Sequence, residues 1–161
     1  MENKKRNKII LGLACELLEK MNFEIEKAAV EDIPGEEEKG EVGQALVSIQ
    51  VNNPAVLIGF KGKNLVAIQM ILALMIKNKI GEWVRVLLDV NNYRNEQKDR
   101  LMTMALNLAD KAVKTGKPVI MANMSSYERR ICHLALSERK DVSSDSEGEG
   151  EERHIVIKSK A

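Results

Sequence analysis

The sequence predicts an α+β fold built from two modules in tandem. Apolar residues recur with the period of a helix in some stretches and of a strand in others, in the order helix, strand, strand, helix, helix, strand. Charge is also segregated although the net charge is only +1. Residues 54–88 carry five Lys or Arg against one acid, whereas residues 141–152 carry six acids and no base. Basic regions of the chain that alternate with acidic stretches indicate that the basic regions bind a polyanion.

The first module opens with an amphipathic helix over residues 8–21 and two strands. The apolar face of the helix recurs every fourth residue, at Ile9, Leu13, Leu17 and Met21. Residues 23–33 begin with the alternation of a strand, and residues 44–51 alternate throughout. An acidic turn over residues 34–43 separates the two strands.

Two helices and a third strand complete the first module. Asn53-Pro54 fits the N-cap and first position of a helix of little more than one turn. In the next helix only Gln69 interrupts an apolar run over residues 65–76, so we expect that helix to be covered on most sides. Residues 83–90 then alternate as a strand.

A Gly-x-x-Gly loop joins these two helices. The candidate residues for contact with a phosphate chain are consecutive here: Gly59, Phe60, Lys61, Gly62, Lys63 and Asn64. Since glycine has no Cβ, the backbone can approach a ligand closely. The first amides of the second helix and the ammonium groups of Lys61 and Lys63 can then face phosphates. For such a loop taken alone, an ordinary link between helices with solvated lysines is the alternative.

The element order around the loop resembles the type II KH domain, over residues 8–91. In KH domains the Gly-x-x-Gly loop clamps the backbone of a few single-stranded nucleotides. The first variable position of the loop is often basic or polar in such domains and is Phe60 here. A phenylalanine can stack on a base or pack across the loop.

The second module, residues 92–161, is predicted to be a small α/β domain. Asn91-Asn92 can cap a helix over residues 93–115, and residues 119–121 are short and apolar as in a strand. Few residues separate the two modules, which predicts a nearly rigid joint. One nucleic-acid strand could then engage both modules.

A further helix begins at Ser125 and Glu128, which have the spacing of a capping box. It places Arg129 and His133 on one face, because they lie four residues apart. A different, apolar face holds Ile131, Leu134 and Ala135. Residues 141–152 lack large apolar groups, so we expect a flexible acidic loop that screens Arg129, followed by a last strand.

The residues that carry a second resemblance are Tyr127-Glu128-Arg129-Arg130, His133, Ser146-x-Gly148 and Arg153. They resemble the Arg-x-x-x-His single-stranded nucleic-acid-binding domain. Its placement behind a type II KH domain resembles the bacterial Jag/KhpB family of RNA-binding proteins, from about residue 8 to residue 159. The resemblance implies that Arg129, Arg130 and His133 bind nucleic acid in the second domain.

The resemblance also implies a cytoplasmic protein that binds single-stranded RNA, or single-stranded DNA. It implies a regulatory role in RNA metabolism and in control of the cell envelope or of division. A small single-KH protein or a second copy of the chain is the implied protein partner. Many members carry another N-terminal domain; about eight residues precede the first predicted helix here, so functions of that domain are not carried over.

An enzyme, a cofactor and a metal ion are not expected. Cys132 and His133 are adjacent, and adjacent helical residues point about 100° apart. The Cys and His spacings do not fit a metal site, and the Gly-x-x-Gly loop lacks the Lys-Ser/Thr of a P-loop. Cys15 and Cys132 each lie in an apolar helical pattern and are interpreted as core thiols. The apolar run of residues 65–76 is too short for a membrane span, so no membrane insertion is expected.

A protein-interaction scaffold is the alternative function, with the basic faces meeting an acidic protein partner. Salt-dependent binding of single-stranded RNA distinguishes the two functions.

Overall fold

The computed structural model describes residues 2–35 and 43–160, and the predicted acidic turn lies mostly outside these residues. The chain forms two units that divide between Arg94 and Asn95. The sequence placed this division slightly earlier, between residues 91 and 92. Tyr93 packs on the core of the first unit and Arg94 bonds to its last strand, so both belong to unit 1.

Unit 1 has the predicted order of helix, strand, strand, helix, helix and strand. Its elements are α1 (Glu2–Lys20), β1 (Ile25–Ile33), β2 (Gln44–Val51), α2 (Pro54–Ile58), α3 (Lys63–Ile80) and β3 (Val86–Val90). A short 3-10 turn, Phe60–Gly62, lies between α2 and α3.

The strands described in unit 1 form one sheet in the order β1-β2-β3. β1 runs antiparallel to β2, whereas β3 runs parallel to it, with Val47 of β2 paired to Val30 and Leu88. Parallel neighbours need a crossover connection, and α2 with α3 provides it. The predicted alternation of β2 is confirmed: its buried residues are Ala45, Val47, Ile49 and Val51.

α1 begins at Glu2, not at residue 8 as the apolar pattern predicted. The apolar stripe starts only at Ile9 and therefore marks the packed part of the helix. The charged residues before it are good helix formers and continue the helix at the surface. Arg6 also forms an ion pair with Asp32 of β1.

The prediction that α3 is covered on most sides is wrong. Its buried residues lie on one face: Leu65, Ile68, Leu72 and Ile76. The sheet and α1 cover that face. On the other face apolar side chains are exposed: Val66 (54%), Met70 (65%), Ile71 (48%) and Leu74 (48%). A uniformly apolar sequence does not reveal which sides of a helix have neighbours.

Within the described residues, one helical stretch, Pro54–Ile80, has the length and the apolar composition that a membrane span requires. An 18-residue part of this stretch has a mean hydropathy of 1.4. The stretch is broken at Gly59–Gly62, and its inward face belongs to the core of unit 1. A core helix meets the same length and composition criteria, so this finding is weak evidence for a membrane span.

Asp89 contributes to the cap of the helix after β3, which the sequence pattern did not predict. Asn91 and Asn92 have left-handed backbones, with φ of +50° and +59°, and form a tight turn. The side-chain amide of Asn91 pairs with the backbone N–H and C=O of Val51. Asp89 Oδ1 accepts a hydrogen bond of 3.1 Å from the backbone N–H of Arg94, which satisfies a donor in the first helical turn.

Unit 2 is a smaller α/β unit. Its elements are α4 (Tyr93–Thr115, whose first two residues belong to unit 1), β4 (Val119–Ile120), α5 (Ser126–Ser137), β5 (Val142–Glu147) and β6 (His154–Ser159). The described strands form an antiparallel sheet in the order β4-β6-β5. The chain therefore has the predicted α+β fold.

The core of unit 2 lies between its helices and its sheet. α4 buries Leu101, Ala105, Ala109 and Ala112, α5 buries Ile131, Cys132 and Leu136, and β6 buries Ile155 and Ile157. Cys132 is fully buried, and desolvation raises the pKa of its thiol to about 11. The thiol is therefore neutral near pH 7, as befits a core residue.

The prediction of a flexible loop over residues 141–152 is wrong. Val142–Glu147 is strand β5, and Gly150–Glu152 forms a 3-10 turn. Backbone pairing with β6 orders these small polar residues without large apolar side chains, and Val142 anchors the strand in the core. The composition of this stretch does not reveal that another strand, β6, pairs with it along its length.

Candidate nucleic-acid interface

The Gly59–Gly62 loop turns sharply because three of its four residues have left-handed backbones. The φ angles are +71° at Gly59, +52° at Lys61 and +79° at Gly62. Glycine adopts these angles without steric cost, whereas Lys61 adopts one that is uncommon for a residue with a side chain. A strained conformation of this kind persists only where its surroundings fix it.

Asn64 fixes one side of the loop. Its Nδ2 donates a hydrogen bond of 2.8 Å to the carbonyl oxygen of Val56, which ties the start of α3 to α2. A Cβ added to Gly59 would lie 2.4 Å from Asn64 Cγ, so no side chain fits there. The amide of Asn64, proposed from the sequence as a contact for nucleic acid, thus holds the loop.

Tyr93 lies behind the other glycine. A Cβ on Gly62 would lie 3.2 Å from Tyr93 Cε1 and 3.4 Å from the tyrosine oxygen. Gly62 is buried against the aromatic ring and begins α3 as its N-cap residue. No local pattern in the sequence signals this contact, because the two residues are far apart along the chain.

The outward side of the loop carries an aromatic ring and two cations. Phe60 is 75% exposed and therefore does not pack across the loop. The Nζ of Lys61 lies 5.8 Å from the centre of the Phe60 ring. Lys63 is exposed on the first turn of α3. The structure thus brings together an aromatic face, two ammonium groups and the N-terminus of a long helix.

In unit 2, the predicted capping box at the start of α5 is confirmed. Ser125 Oγ accepts from the backbone N–H of Glu128 at 3.3 Å, and Glu128 Oε2 accepts from the backbone N–H of Ser125 at 2.8 Å. Gln97 of α4 donates to the other oxygen of Glu128 at 3.1 Å. Glu128 is buried, and this network fixes where the helix begins.

A shallow cleft of about 460 Å³ lies along the exposed side of α5, and we call it the α5 cleft. Its lining residues are Ser126, Arg129, Arg130, His133, Leu134, Ser137, Ser146 and Arg153. It brings together the three α5 residues proposed from the sequence and adds an arginine from the approach to β6. No carboxylate is among these lining residues.

The arginines of the α5 cleft are oriented by hydrogen bonds within unit 2. Arg129 donates from Nη1 to the carbonyl of Met124 at 2.7 Å and from Nη2 to Ser126 Oγ at 3.1 Å. Arg153 donates from Nε to Ser146 Oγ at 2.9 Å. Guanidinium groups held in this way lose less side-chain freedom when they bind a ligand.

His133 is held from behind by β5. Its Nδ1 lies 2.8 Å from Ser144 Oγ, so the ring presents its other nitrogen, Nε2, on the side away from the strand. Because Nδ1 is engaged, the hydroxyl of Ser144 fixes the plane of the ring.

The acids of β5 face away from this serine side. Side chains alternate along a strand, so Ser144 and Ser146 share one face and Asp145 and Glu147 share the other. Lys158 of β6 donates to both acids at 3.2 Å. The predicted screening of Arg129 by these two acids is therefore not found. In the sequence, serines and acids alternate over residues 144–147, and this period of two indicates a strand with serines on one face and acids on the other.

Leu134 was predicted to lie on the apolar face of α5 and is 61% exposed. The buried face of α5 is centred on Ile131 and Cys132, and Leu134 lies outside that arc at the α5 cleft. An apolar residue on a short helix cannot be assigned to a face without its neighbours in space.

Among residues 2–35 and 43–160, no group of His, Cys, Asp or Glu side chains is arranged to hold a metal ion.

Comparison with known proteins identifies the second unit and relates most of the chain to curated proteins. The family of domains named after the Arg-x-x-x-His motif matches residues 99–159. The chain is 35% identical over 153 residues to the RNA-binding protein KhpB of Clostridium symbiosum, covering 95% of this chain and 68% of that protein. It is 38% identical over 108 residues to the Bacillus subtilis protein of the same name, covering 66% and 52%.

The Streptococcus pneumoniae protein of that name is 32% identical over 111 residues, 69% of this chain and 34% of the relative. The matched region thus spans between about a third and two thirds of the length of these relatives.

The steric fit at Gly59 predicts a sharp difference between two glycine substitutions. Gly59→Ala should destabilise the protein by about 1–3 kcal/mol, because alanine must adopt a conformation reserved for glycine against Asn64. Gly12→Ala is the matched control: it lies in α1 with open space around it and should stabilise by about 0.5–1 kcal/mol. Thermal and urea unfolding measure both. Equal effects of the two substitutions would contradict the packing described for the loop.

Proposed function

Because the chain belongs to the KhpB family of RNA-binding proteins, we propose that it binds single-stranded RNA through the Gly59–Gly62 loop and the α5 cleft. The observation that carries this proposal is the α5 cleft, where three arginines and a histidine converge and no carboxylate is among the lining residues. Single-stranded DNA offers the same phosphates and is a second ligand of the same class. RNA binding, with no catalytic step, is the activity proposed.

We propose that unit 1 is a type II KH domain. The helix-strand-strand-helix-helix-strand order, a parallel pair β2–β3 and a Gly-x-x-Gly loop between α2 and α3 support this assignment. In such a domain the loop backbone lies against the sugar-phosphate chain. The loop contacts proposed are those of Gly59, Phe60, Lys61, Gly62 and Lys63, with Asn64 as the residue that holds their geometry.

The α5 cleft has the chemistry of a phosphate site. A guanidinium offers five N–H donors in a planar fork, and Arg129 uses two nitrogens of its fork inside the protein. Remaining donors can face a phosphate oxygen, with Arg130 and Arg153 adding positive charge. His133 offers Nε2 as a further donor when the Ser144 hydroxyl donates to Nδ1. Phosphate contacts position a strand and carry little sequence information, so selectivity should be modest.

We further propose that both units hold one strand at the same time. Two weak sites on one chain raise the affinity for a strand long enough to reach both, because the second contact becomes intramolecular. The family supports a cytoplasmic role in regulating RNA metabolism and the cell envelope or division, and we propose that role here. The scaffold alternative, in which the basic faces bind an acidic protein, predicts no RNA binding at physiological salt.

A protein partner is proposed for the exposed face of α3. Val66, Met70 and Leu74 lie four residues apart and form an apolar stripe on that face, which ends at Lys77 stacked 4.4 Å from the centre of the Trp83 ring. Contiguous exposed apolar surface of this kind marks interaction sites. The partner proposed is the same face of a second KH unit, in another copy of the chain or in a small single-KH protein.

Replacing Phe60 and Lys61 by aspartate should reduce the affinity for single-stranded RNA at least about tenfold. Two negative charges then lie where a phosphate must approach, and a tenfold loss needs only about 1.4 kcal/mol. Both side chains are exposed, and aspartate tolerates the left-handed backbone at residue 61, so the melting temperature should stay unchanged. Fluorescence anisotropy against salt concentration measures binding. RNA affinity equal to the parent's would exclude the loop as a site.

The double substitution Arg129→Ala with His133→Ala should weaken binding of a long single strand strongly. It should hardly affect an oligomer of about four nucleotides, which the Gly59–Gly62 loop of unit 1 can hold alone. Titration calorimetry with both lengths tests this, and Lys111→Ala, at an exposed position on α4, serves as a charge control. Equal losses for short and long strands would mean that the chain has a single binding site.

Met70→Asp with Leu74→Asp should abolish association through α3 without unfolding unit 1, because both side chains are exposed. Light scattering measures the mass of the chain alone, and a pull-down measures capture of a single-KH protein. Val113→Asp, at an exposed apolar position on α4, is the control. Association that survives the α3 substitution would place the partner elsewhere.

A further inference from the structure

Two large side chains of α5 are exposed, and one of them, Leu134, also lines the α5 cleft. Tyr127 is 56% exposed and Leu134 is 61% exposed. Neither belongs to the core of unit 2, which α5 joins through Ile131, Cys132 and Leu136. The other outward side chains of α5 are mostly arginine, histidine and serine, so the tyrosine and the leucine add apolar surface beside polar and charged groups.

Helical geometry places these two side chains on one strip of α5, about two turns apart, with Arg130 between them. Tyr127 and Arg130 are three residues apart, and Arg130 and Leu134 are four apart, so the three side chains are neighbours on one strip of α5. Arg129 and His133 form the adjacent strip, and Arg130 lies along the border between the two. Each residue turns the helix by about 100°, so the outward arc reads Arg129, His133, Arg130, Leu134 and Tyr127 in order.

Resting on the function proposed above, we propose that Tyr127 and Leu134 form a nucleobase platform beside the phosphate site of unit 2. The occupant is a base of the same strand whose phosphate lies in the α5 cleft. The base stacks on the tyrosine ring, and the next base of the strand contacts the leucine methyl groups about two helical turns away. The guanidinium of Arg130, at the border of the two strips, can reach either the phosphate or the face of the base.

The chemistry of the strip favours a base over an apolar protein surface. The platform is continuous with a cluster of three arginines and a histidine, and a single-stranded nucleotide offers an anionic and an aromatic group together. An apolar protein partner would have to cover these cations as well and leave them without water. Stacking accepts every base, so the platform adds affinity with little sequence preference.

The test compares a strand with bases to one without them, on the full chain. The probes are an oligouridine RNA of about 12 nucleotides and an abasic strand of the same length. Tyr127→Ala should weaken oligouridine binding at least about fivefold and change binding of the abasic strand less than about twofold. Tyr127→Phe should keep the parent affinity, because the ring and not the hydroxyl stacks. Leu134→Ala should act like Tyr127→Ala, more weakly.

Two further variants serve as controls for the effect of Tyr127→Ala. Arg129→Ala should weaken both probes, because it removes a phosphate contact. Ile120→Ala, at an apolar position of β4 that is 67% exposed, should change neither. Thermal melts verify that each variant is folded.

The failures are distinguishable. If the parent chain binds neither probe, the proposed function is wrong. If the parent binds oligouridine and Arg129→Ala weakens it while Tyr127→Ala does not, phosphate binding stands and the platform is overturned. Equal weakening of both probes by Tyr127→Ala also overturns it, because the tyrosine would then act on the phosphate site or on the fold.

Discussion

The break between α2 and α3 depends on two glycines that leave no room for a side chain. At Gly59 the space for a Cβ is filled by Asn64, and at Gly62 the ring of Tyr93 lies close behind the backbone. Without this break, residues 54 to 80 would continue as one helix, whereas in unit 1 the crossover from β2 to β3 consists of two helices joined by the loop. The two glycines therefore set the geometry of this crossover.

Unit 2 presents its charges by a different arrangement. Alternation along β5 directs serines toward α5 and acids toward Lys158 on the other face. An acidic stretch can thus lie beside a basic site without neutralising it. The serines then orient His133 and Arg153, so the most acidic stretch of the unit contributes neutral hydroxyl groups to the side chains of the α5 cleft.

Much of the fold could be predicted from the sequence because the periodic signals were local. The alternation of β2, the crossover with its glycine loop and the capping box at Ser125 each depend on neighbours within a few residues. The errors share a cause. The exposed face of α3, the strand at residues 142–147 and the outward position of Leu134 all depend on what lies opposite in space. The contacts of Tyr93 with Gly62 and of Ser144 with His133 depend on packing between elements and had no local signal.

Side chains of unit 1 hold the first turn of α4. Asp89 accepts from the backbone of Arg94, and the guanidinium of Arg94 donates to the carbonyl of Leu88 and to Gln69, whereas the helix from residue 95 onward belongs to unit 2. If the two units were separated between residues 94 and 95, α4 would lose its first turn and would fray in unit 2. In unit 1, that first turn would lose the rest of its helix. Gene fusion or shuffling of either unit alone therefore carries a stability cost. Inheriting the two units as a pair avoids this cost.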